Sequence, residues 1–270
     1  MLYVATVHFR TPKWIDIQQR YLRRNITEPF KTFAVLDDIS PEYHSRFDRV
    51  VVAQGLHEGR LNLLAAEVGM EADPKDVLLF LDGDAFPVAD PMPTIYDALA
   101  STSLLAVRRD ENQGDKQPHP CFCAIEVGEW QRIHGDWSEG YVWKNDSGRP
   151  ASDVGGNLLG ILERNNIRWT PLLRTNKRND HPVWFGVYGN IVYHHGSGFR
   201  RPFARADVDT RPPGLRGERI PLLNKAIPKM NARRRRRWME ELHLRSEQLG
   251  EEWFELLQHD PDFYLRLLEP

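Results

Sequence analysis

Within its first hundred residues the chain alternates short apolar runs with segments of helical spacing, and few architectures tolerate that alternation. Leu2–Val7, Lys31–Leu36, Arg49–Val52 and Val77–Leu81 have strand length and strand composition. Between them, Trp14–Arg24 carries Trp14, Ile15, Ile17, Tyr21 and Leu22 at helical spacing, and Gly59–Met70 places Leu61, Leu64, Ala65 and Val68 on one face. A βαβ rhythm of this kind predicts an α/β fold with a mainly parallel sheet, helices on both faces, and ligands at the carboxyl ends of the strands. Further on, Leu104–Val107, Cys121–Val127, Ile167–Leu173 and Ile191–His194 are predicted strands, and Asp153–Arg164 is a predicted helix. The polar stretch Arg108–Pro120 reads as a mobile loop. Past Phe199 the chain is rich in Pro and Arg to about Pro228 and helical from there to the end.

The chain has 270 residues, enough for one large α/β domain or two small ones. A hydrophobic content of 41% with 27% charged residues excludes a disordered or fibrous protein. The formal charge of −2 gives no global attraction to nucleic acid, but it is unevenly placed. Thirteen Lys/Arg face three Asp/Glu between Arg200 and Arg237, which points to an anionic ligand or surface near the end of the fold. The only two cysteines, Cys121 and Cys123, share one predicted strand and neither bridge nor form half of a zinc site. Without a disulfide framework, signal peptide or apolar span, a cytoplasmic location is the expectation, with room for a peripheral contact at the inner face of a membrane.

Two constellations carry chemistry. Twenty Asp in 270 residues produce roughly one or two Asp-x-Asp triplets by chance, and three are present: Asp82-Gly83-Asp84, Asp207-Val208-Asp209 and Asp260-Pro261-Asp262. Only the first directly follows an apolar strand, and its Gly83 permits a tight turn. Two carboxylates at a strand's carboxyl end can hold a hard divalent cation that in turn grips a diphosphate; the alternative is a surface turn with solvated acids. The second constellation runs from Ile191 to Phe203. A strand delivers His194 and His195, a glycine loop with Gly196 and Gly198 follows, and Arg200 and Arg201 close it. Imidazole can complete a carboxylate-bound metal site, glycine amides can approach phosphate oxygens, and Arg neutralises them.

Together these residues resemble the GT-A (Rossmann-like) class of nucleotide-sugar-dependent glycosyltransferases, particularly the glycogenin and bacterial lipooligosaccharide galactosyltransferase family. In that family a strand-borne Asp-x-Asp and a late His-x-x-Gly-x-x-Lys-Pro-Trp element share one Mn²⁺ and the diphosphate. His195, Gly198, Arg201, Pro202 and Phe203 fall on the second pattern, with Arg for Lys and Phe for Trp. The resemblance therefore implies Asp82, Asp84 and His195 as ligands of Mn²⁺, with Mg²⁺ as the alternative ion. It places the donor against Thr6 and Val7 at the end of the first strand, Asp37, Arg60, Asp82, Gly83, Gly198 and Arg201. Phe122–Glu126 with Trp130 resembles the strand behind the sugar pocket. The first strand lacks the family's acidic base-reading pattern, whereas Asp37-Asp38 resembles the uracil-binding acids of a larger inverting family and favours a UDP-linked donor.

Asp153 sits where the family carries an acidic motif near the acceptor. It suits a helix N-cap equally well, and the two roles are compatible. If the reaction inverts, Asp153 is the candidate general base; if it retains, Asp153 orients the acceptor or the donor sugar. The resemblance covers residues 1–205, leaving 206–270 as a Pro/Arg-rich linker and helical C-terminal extension. Arg233–Arg237 is either a solvated helix face balanced by nearby acids or a basic edge for anionic lipid or a phosphate-bearing acceptor. It lacks the aromatic interleaving of an RNA-binding surface, so nucleic acid is not expected. Two rivals to a metal-dependent glycosyltransferase are a sugar-nucleotide nucleotidyltransferase and a non-catalytic sugar-nucleotide or glycan-binding module. The first calls for a Gly-rich loop after the first strand, where His8-Phe9-Arg10-Thr11-Pro12 has none.

Overall fold

The computed structural model describes residues 1–196 and 226–270. Its centre is a seven-stranded sheet in the order β10-β6-β7-β4-β1-β2-β3. The strands are β1 (Leu2–Phe9), β2 (Phe30–Asp37), β3 (Arg49–Val51), β4 (Val77–Asp82), β6 (Leu104–Val107), β7 (His119–Glu126) and β10 (Thr170–Leu172). All neighbours are parallel except β7, which runs antiparallel to both β4 and β6. This is the mainly parallel α/β sheet expected from the βαβ rhythm. Helix α1 (Ile15–Asn25) connects β1 to β2, and helix α2 (His57–Gly69) connects β3 to β4.

The strand side chains alternate between two cores, as a period of two requires. Leu78 and Phe80 of β4 face a cluster with Phe33, Leu61, Leu64, Trp130 and Trp137. Leu79 and Leu81 face Leu22, Met92, Ile95, Leu105 and Phe122. Leu61 and Leu64 of α2 are fully buried, each contributing about 1.5–3 kcal/mol. Strict alternation would put Cys121 and Cys123 on one face of β7. Instead the pairing of β6 with β7 shifts between Ala106 and Val107, and the two thiols enter opposite cores.

Short elements escaped the sequence pattern because three residues carry no period. A second sheet of order β11-β12-β5 sets the expected strand at Val192–His194 (β12) between two unread ones, Gly186–Tyr188 (β11) and Ala85–Pro87 (β5). Helix α3 (Met92–Leu99), helix α4 (Val127–Arg132) and the pair β8 (Trp143–Lys144) and β9 (Pro150–Ala151) were likewise unread. The helix expected at Asp153 starts at Gly156 as α5 (Gly156–Arg164), because Gly155 takes a left-handed conformation at φ 87°. Asp153 is therefore not its cap residue. The stretch Arg108–Pro120 is less solvated than its composition suggested, since Asp115 and Gln117 are buried.

The C-terminal segment packs on the same molecule. Its long helix spans Ala226–His259 and is followed by a short one at Leu265–Leu268. Trp253, Leu257, Phe263 and Leu267 share a core with Trp14, Tyr21, Phe86, Phe185 and Tyr193. The Arg20 guanidinium donates to the Leu257 carbonyl at 2.9 Å. Among the described residues no helix is long and apolar enough to cross a membrane.

Candidate metal and donor site

The carboxyl edge of the parallel strands assembles the site. Strand β4 ends at Asp82 and β5 begins at Ala85, so both carboxylates sit in the connecting turn. Strand β12 pairs antiparallel with β5, His194 opposite Ala85, which brings an imidazole from more than a hundred residues away onto that turn. His194 Nε2 lies 3.5 Å from Asp84 Oδ1 and 3.7 Å from Asp82 Oδ2. One ligand atom from each of Asp82, Asp84 and His194 falls within 4.8 Å of the others, a spacing a single cation can span. Two hard carboxylates with one imidazole suit Mn²⁺ better than Mg²⁺, which prefers oxygen and retained water.

Two further histidines border the same carboxylate. His57, the first residue of α2, sets Nε2 3.1 Å from Asp82 Oδ1. His119 opens β7, whose antiparallel direction places its start on this edge, with Nδ1 3.9 Å from Asp82 Oδ2. Burial alone would raise the Asp82 carboxyl; the hydrogen bond and charge of His57, with His119 and His194, outweigh it and hold the group well below its ordinary range. Asp84 is likewise buried and is held low chiefly by His194. His119 leads on to Arg109, whose Nη1 is 3.5 Å from His119 Nε2. Beyond Arg109 lies Asp115, which burial pushes up to about 6 despite the Asn112 hydrogen bond and the Arg109 charge.

The turn is braced from behind. A Cβ on Gly83 would meet the Val7 carbonyl at 2.7 Å and His8 Nδ1 at 2.8 Å, so the glycine is required for close approach and not for an unusual φ. Gln18 of α1, fully buried, donates through Nε2 to the carbonyls of Asp82 and Ala85, both at 2.8 Å. Its Oε1 lies 3.1 Å from His8 Nε2.

The residues expected at the site divide into several groups. Asp82, Gly83 and Asp84 lie together in the turn between β4 and β5. His195 is corrected: its ring turns away from the carboxylates, 4.6 Å from Trp14 and 5.0 Å from Phe185, with Nδ1 3.0 Å from the Tyr193 hydroxyl. Burial pulls it down to about 3, and only its backbone amide touches the turn, donating to the Asp84 carbonyl at 3.1 Å. A one-residue shift along a strand reverses the face, so counting back from Gly198 and Arg201 selected the wrong histidine. Asp37 and Arg60 are brought together as an ion pair with each other, the Arg60 guanidinium also lying 5.1 Å from the Phe9 ring. Thr6 is fully buried in the sheet and its hydroxyl has no hydrogen-bond partner among the described residues, while Val7 is 5% exposed. Asp153 is exposed and accepts from the amide of Val154 at 2.8 Å. Gly198 and Arg201, with Pro202, Phe203 and the Asp207–Asp209 triplet, lie outside the described residues. His57, His119, Gln18, Arg109 and Asp115 were missed by sequence reasoning; of these only Gln18 left a signal, as an amide on an apolar helix face.

No protein-family model matches the chain, and no curated protein matches it. Solved structures match over part of its length. TarS of S. aureus aligns at 12% identity and a TM-score of 0.37, over 51% of this chain and 30% of that one. Galactosyltransferase LgtC, in complex with donor and acceptor sugar analogues, aligns at 11% and 0.33, over 48% and 59%. Mannosyltransferase PcManGT from Pyrobaculum calidifontis, in complex with GDP-Man and Mn²⁺, aligns at 13% and 0.38, over 51% and 47%. This chain thus spans less than two thirds of each of them. The functional reading comes from the residues of the site.

Proposed function

We propose that the protein is a divalent-metal-dependent glycosyltransferase that moves a sugar from a nucleoside diphosphate sugar to an acceptor hydroxyl, with UDP-linked donors as the first candidates. The observation that carries this reading is the convergence of Asp82, Asp84 and His194 at the carboxyl end of β4, where an open α/β sheet binds its ligands. Mn²⁺ held there would supply Lewis-acid stabilisation of the charge that develops on the leaving diphosphate. The protein's own groups prepare that role. The Asp82 carboxyl, bonded to His57, is held below its ordinary range and so is available to a cation despite its burial. The N-terminus of α2 opens beside Asp82 at His57, so its free amides favour an anion on this edge. Arg60 reaches the same edge already paired to Asp37, which fixes its guanidinium before any donor arrives. Gly198 and Arg201 complete the diphosphate clamp in this reading. Asp153, exposed at the approach to α5, receives the acceptor proton if configuration inverts.

The test is release of nucleoside diphosphate from a panel of UDP- and GDP-sugars with Mn²⁺, with Mg²⁺ and with excess EDTA. Turnover that needs metal and is highest with Mn²⁺ is the expected result. A donor bound without release of diphosphate would instead support the binding-module reading. Full activity in EDTA would refute the metal role of Asp82 and Asp84.

A further inference from the structure

Helix α1 buries Ile15, Ile17, Gln18, Gln19, Tyr21 and Leu22, and among them Gln18 has no exposed surface at all. An amide is stable in such a place only when its hydrogen bonds are made. Both protons of Gln18 Nε2 are used on one short stretch of backbone, the carbonyls of Asp82 and Ala85, each at 2.8 Å. Those carbonyls flank the turn that carries both metal-site carboxylates. The amide oxygen is used as well, 3.1 Å from His8 Nε2, and the other side of the His8 ring leaves room beneath the turn only for Gly83. Two helical turns further along the same face, Asn25 Nδ2 donates to the Pro87 carbonyl at 2.8 Å, beyond the carboxylates at the far end of β5.

We infer that Gln18 is a positioning residue that, locked by His8, clasps both ends of the Asp82–Ala85 turn and sets the separation of the Asp82 and Asp84 carboxylates to that required by one cation. The inference rests on the metal-site reading above. Neither Gln18 nor His8 touches the ion or the donor. Their contribution is geometric, as with other groups that orient metal ligands, whose loss typically costs about 10- to 100-fold in metal affinity. Asn25 supplies a built-in contrast: a side-chain amide on the same helix face, bonded to the same stretch of chain, but past the ligands.

The experiment measures Mn²⁺ affinity of the full chain by electron paramagnetic resonance, the metal-free Tm, and the Mn²⁺ dependence of donor turnover. Gln18→Met keeps length and removes both donors; Gln18→Glu keeps shape and faces the two carbonyls with oxygen. Either variant should raise the Mn²⁺ Kd by about 10- to 100-fold and raise the Mn²⁺ concentration for half-maximal turnover in step, with kcat at saturating Mn²⁺ little changed. Asn25→Ala should lower the Tm but leave the Mn²⁺ Kd at the parent value. If one Gln18 variant does not fold, the other carries the comparison. Parent-like Mn²⁺ affinity in a folded Gln18 variant, or an equal loss in Asn25→Ala, would overturn the clasp while leaving the metal site standing. A parent chain that binds no Mn²⁺ would overturn the metal reading and the clasp with it.

Discussion

Replacing His194 and His195 one at a time separates two readings of the site that differ by a single residue. His194 Nε2 lies 3.5 Å from Asp84 and 3.7 Å from Asp82, so His194→Ala removes one of the three proposed ligands and the imidazole that both carboxylates face. Losing a direct ligand should cost at least what losing an orienting partner costs, about 100-fold in Mn²⁺ affinity, or about 2.8 kcal/mol at 1.4 kcal/mol per tenfold. The metal-free fold should lose stability as well, since the His194 side chain is only 7% exposed and its truncation leaves a cavity. His195→Ala should cost stability while leaving the Mn²⁺ affinity at the parent value. His195 is 5% exposed, its ring against Trp14 and Phe185 and bonded to Tyr193. Truncating a buried ring of this size leaves a cavity worth about 2–4 kcal/mol, or a Tm lowered by about 5–15 °C at 2–4 °C per kcal/mol. Mn²⁺ titration followed by electron paramagnetic resonance, paired with thermal unfolding in EDTA, reads both quantities. If His195→Ala loses Mn²⁺ while His194→Ala keeps it, the geometry of β12 described above is wrong.

Three further expectations follow from particular residues. Asp84→Ala should lose donor turnover by a factor of 100 or more, in order of magnitude, while Asp260→Ala should keep it, because Asp260 belongs to a surface turn where it accepts from the Asp262 amide at 3.0 Å; equal loss in both, with folds intact, would mean the wrong triplet was chosen. Asp115 is raised to about 6 from 3.8, so its folded form binds the proton more tightly than the unfolded one. The neutral acid's advantage is fully present below pH 4 and is lost as pH rises through 6, and Asp115→Asn should remove that slope from the pH dependence of unfolding free energy; an unchanged slope refutes the assignment. Arg233, Arg234, Arg236 and Arg237 are exposed on the C-terminal helix. Their replacement by Gln should abolish a salt-sensitive attachment to anionic vesicles while leaving donor binding unchanged, and parent-like vesicle binding in that variant would make the run a solvated face.

What could be read in the sequence was what is local. Val77–Leu81 is a continuous apolar run, so β4 and the carboxylates that end it were legible without any partner, and the chance triplets lacked that context. The imidazole of the proposed metal site was legible only as a pair, because the choice between His194 and His195 depends on how a three-residue strand pairs with β5, and neither strand is long enough to show a period. Asp153 was misread as a cap because nothing local signals that Gly155 adopts φ 87°, which delays the helix to Gly156. Asp37 and Arg60 were each identified as donor-facing, yet nothing in either stretch showed that they pair with one another. His57 and His119 left no trace, being single histidines in polar surroundings that reach Asp82 because α2 begins and β7 starts on the same sheet edge.

Gln18 differs from those two histidines in having been visible but unread. On the face of α1 that also presents Ile15 and Leu22, a glutamine looks like an imperfection in an amphipathic pattern. A buried amide has to find partners, and the rest of the apolar face offers none, so its presence indicates that backbone with unmet hydrogen bonds lies against the helix. Regular strands satisfy their own carbonyls through the ladder, which leaves turns as the backbone in need of donors. The turn that α1 covers joins β4 to β5, where Asp82 and Asp84 sit. A polar residue inside an apolar helical stripe thus points to the irregular backbone beneath it, and in an α/β sheet that backbone lies at the edge where ligands bind.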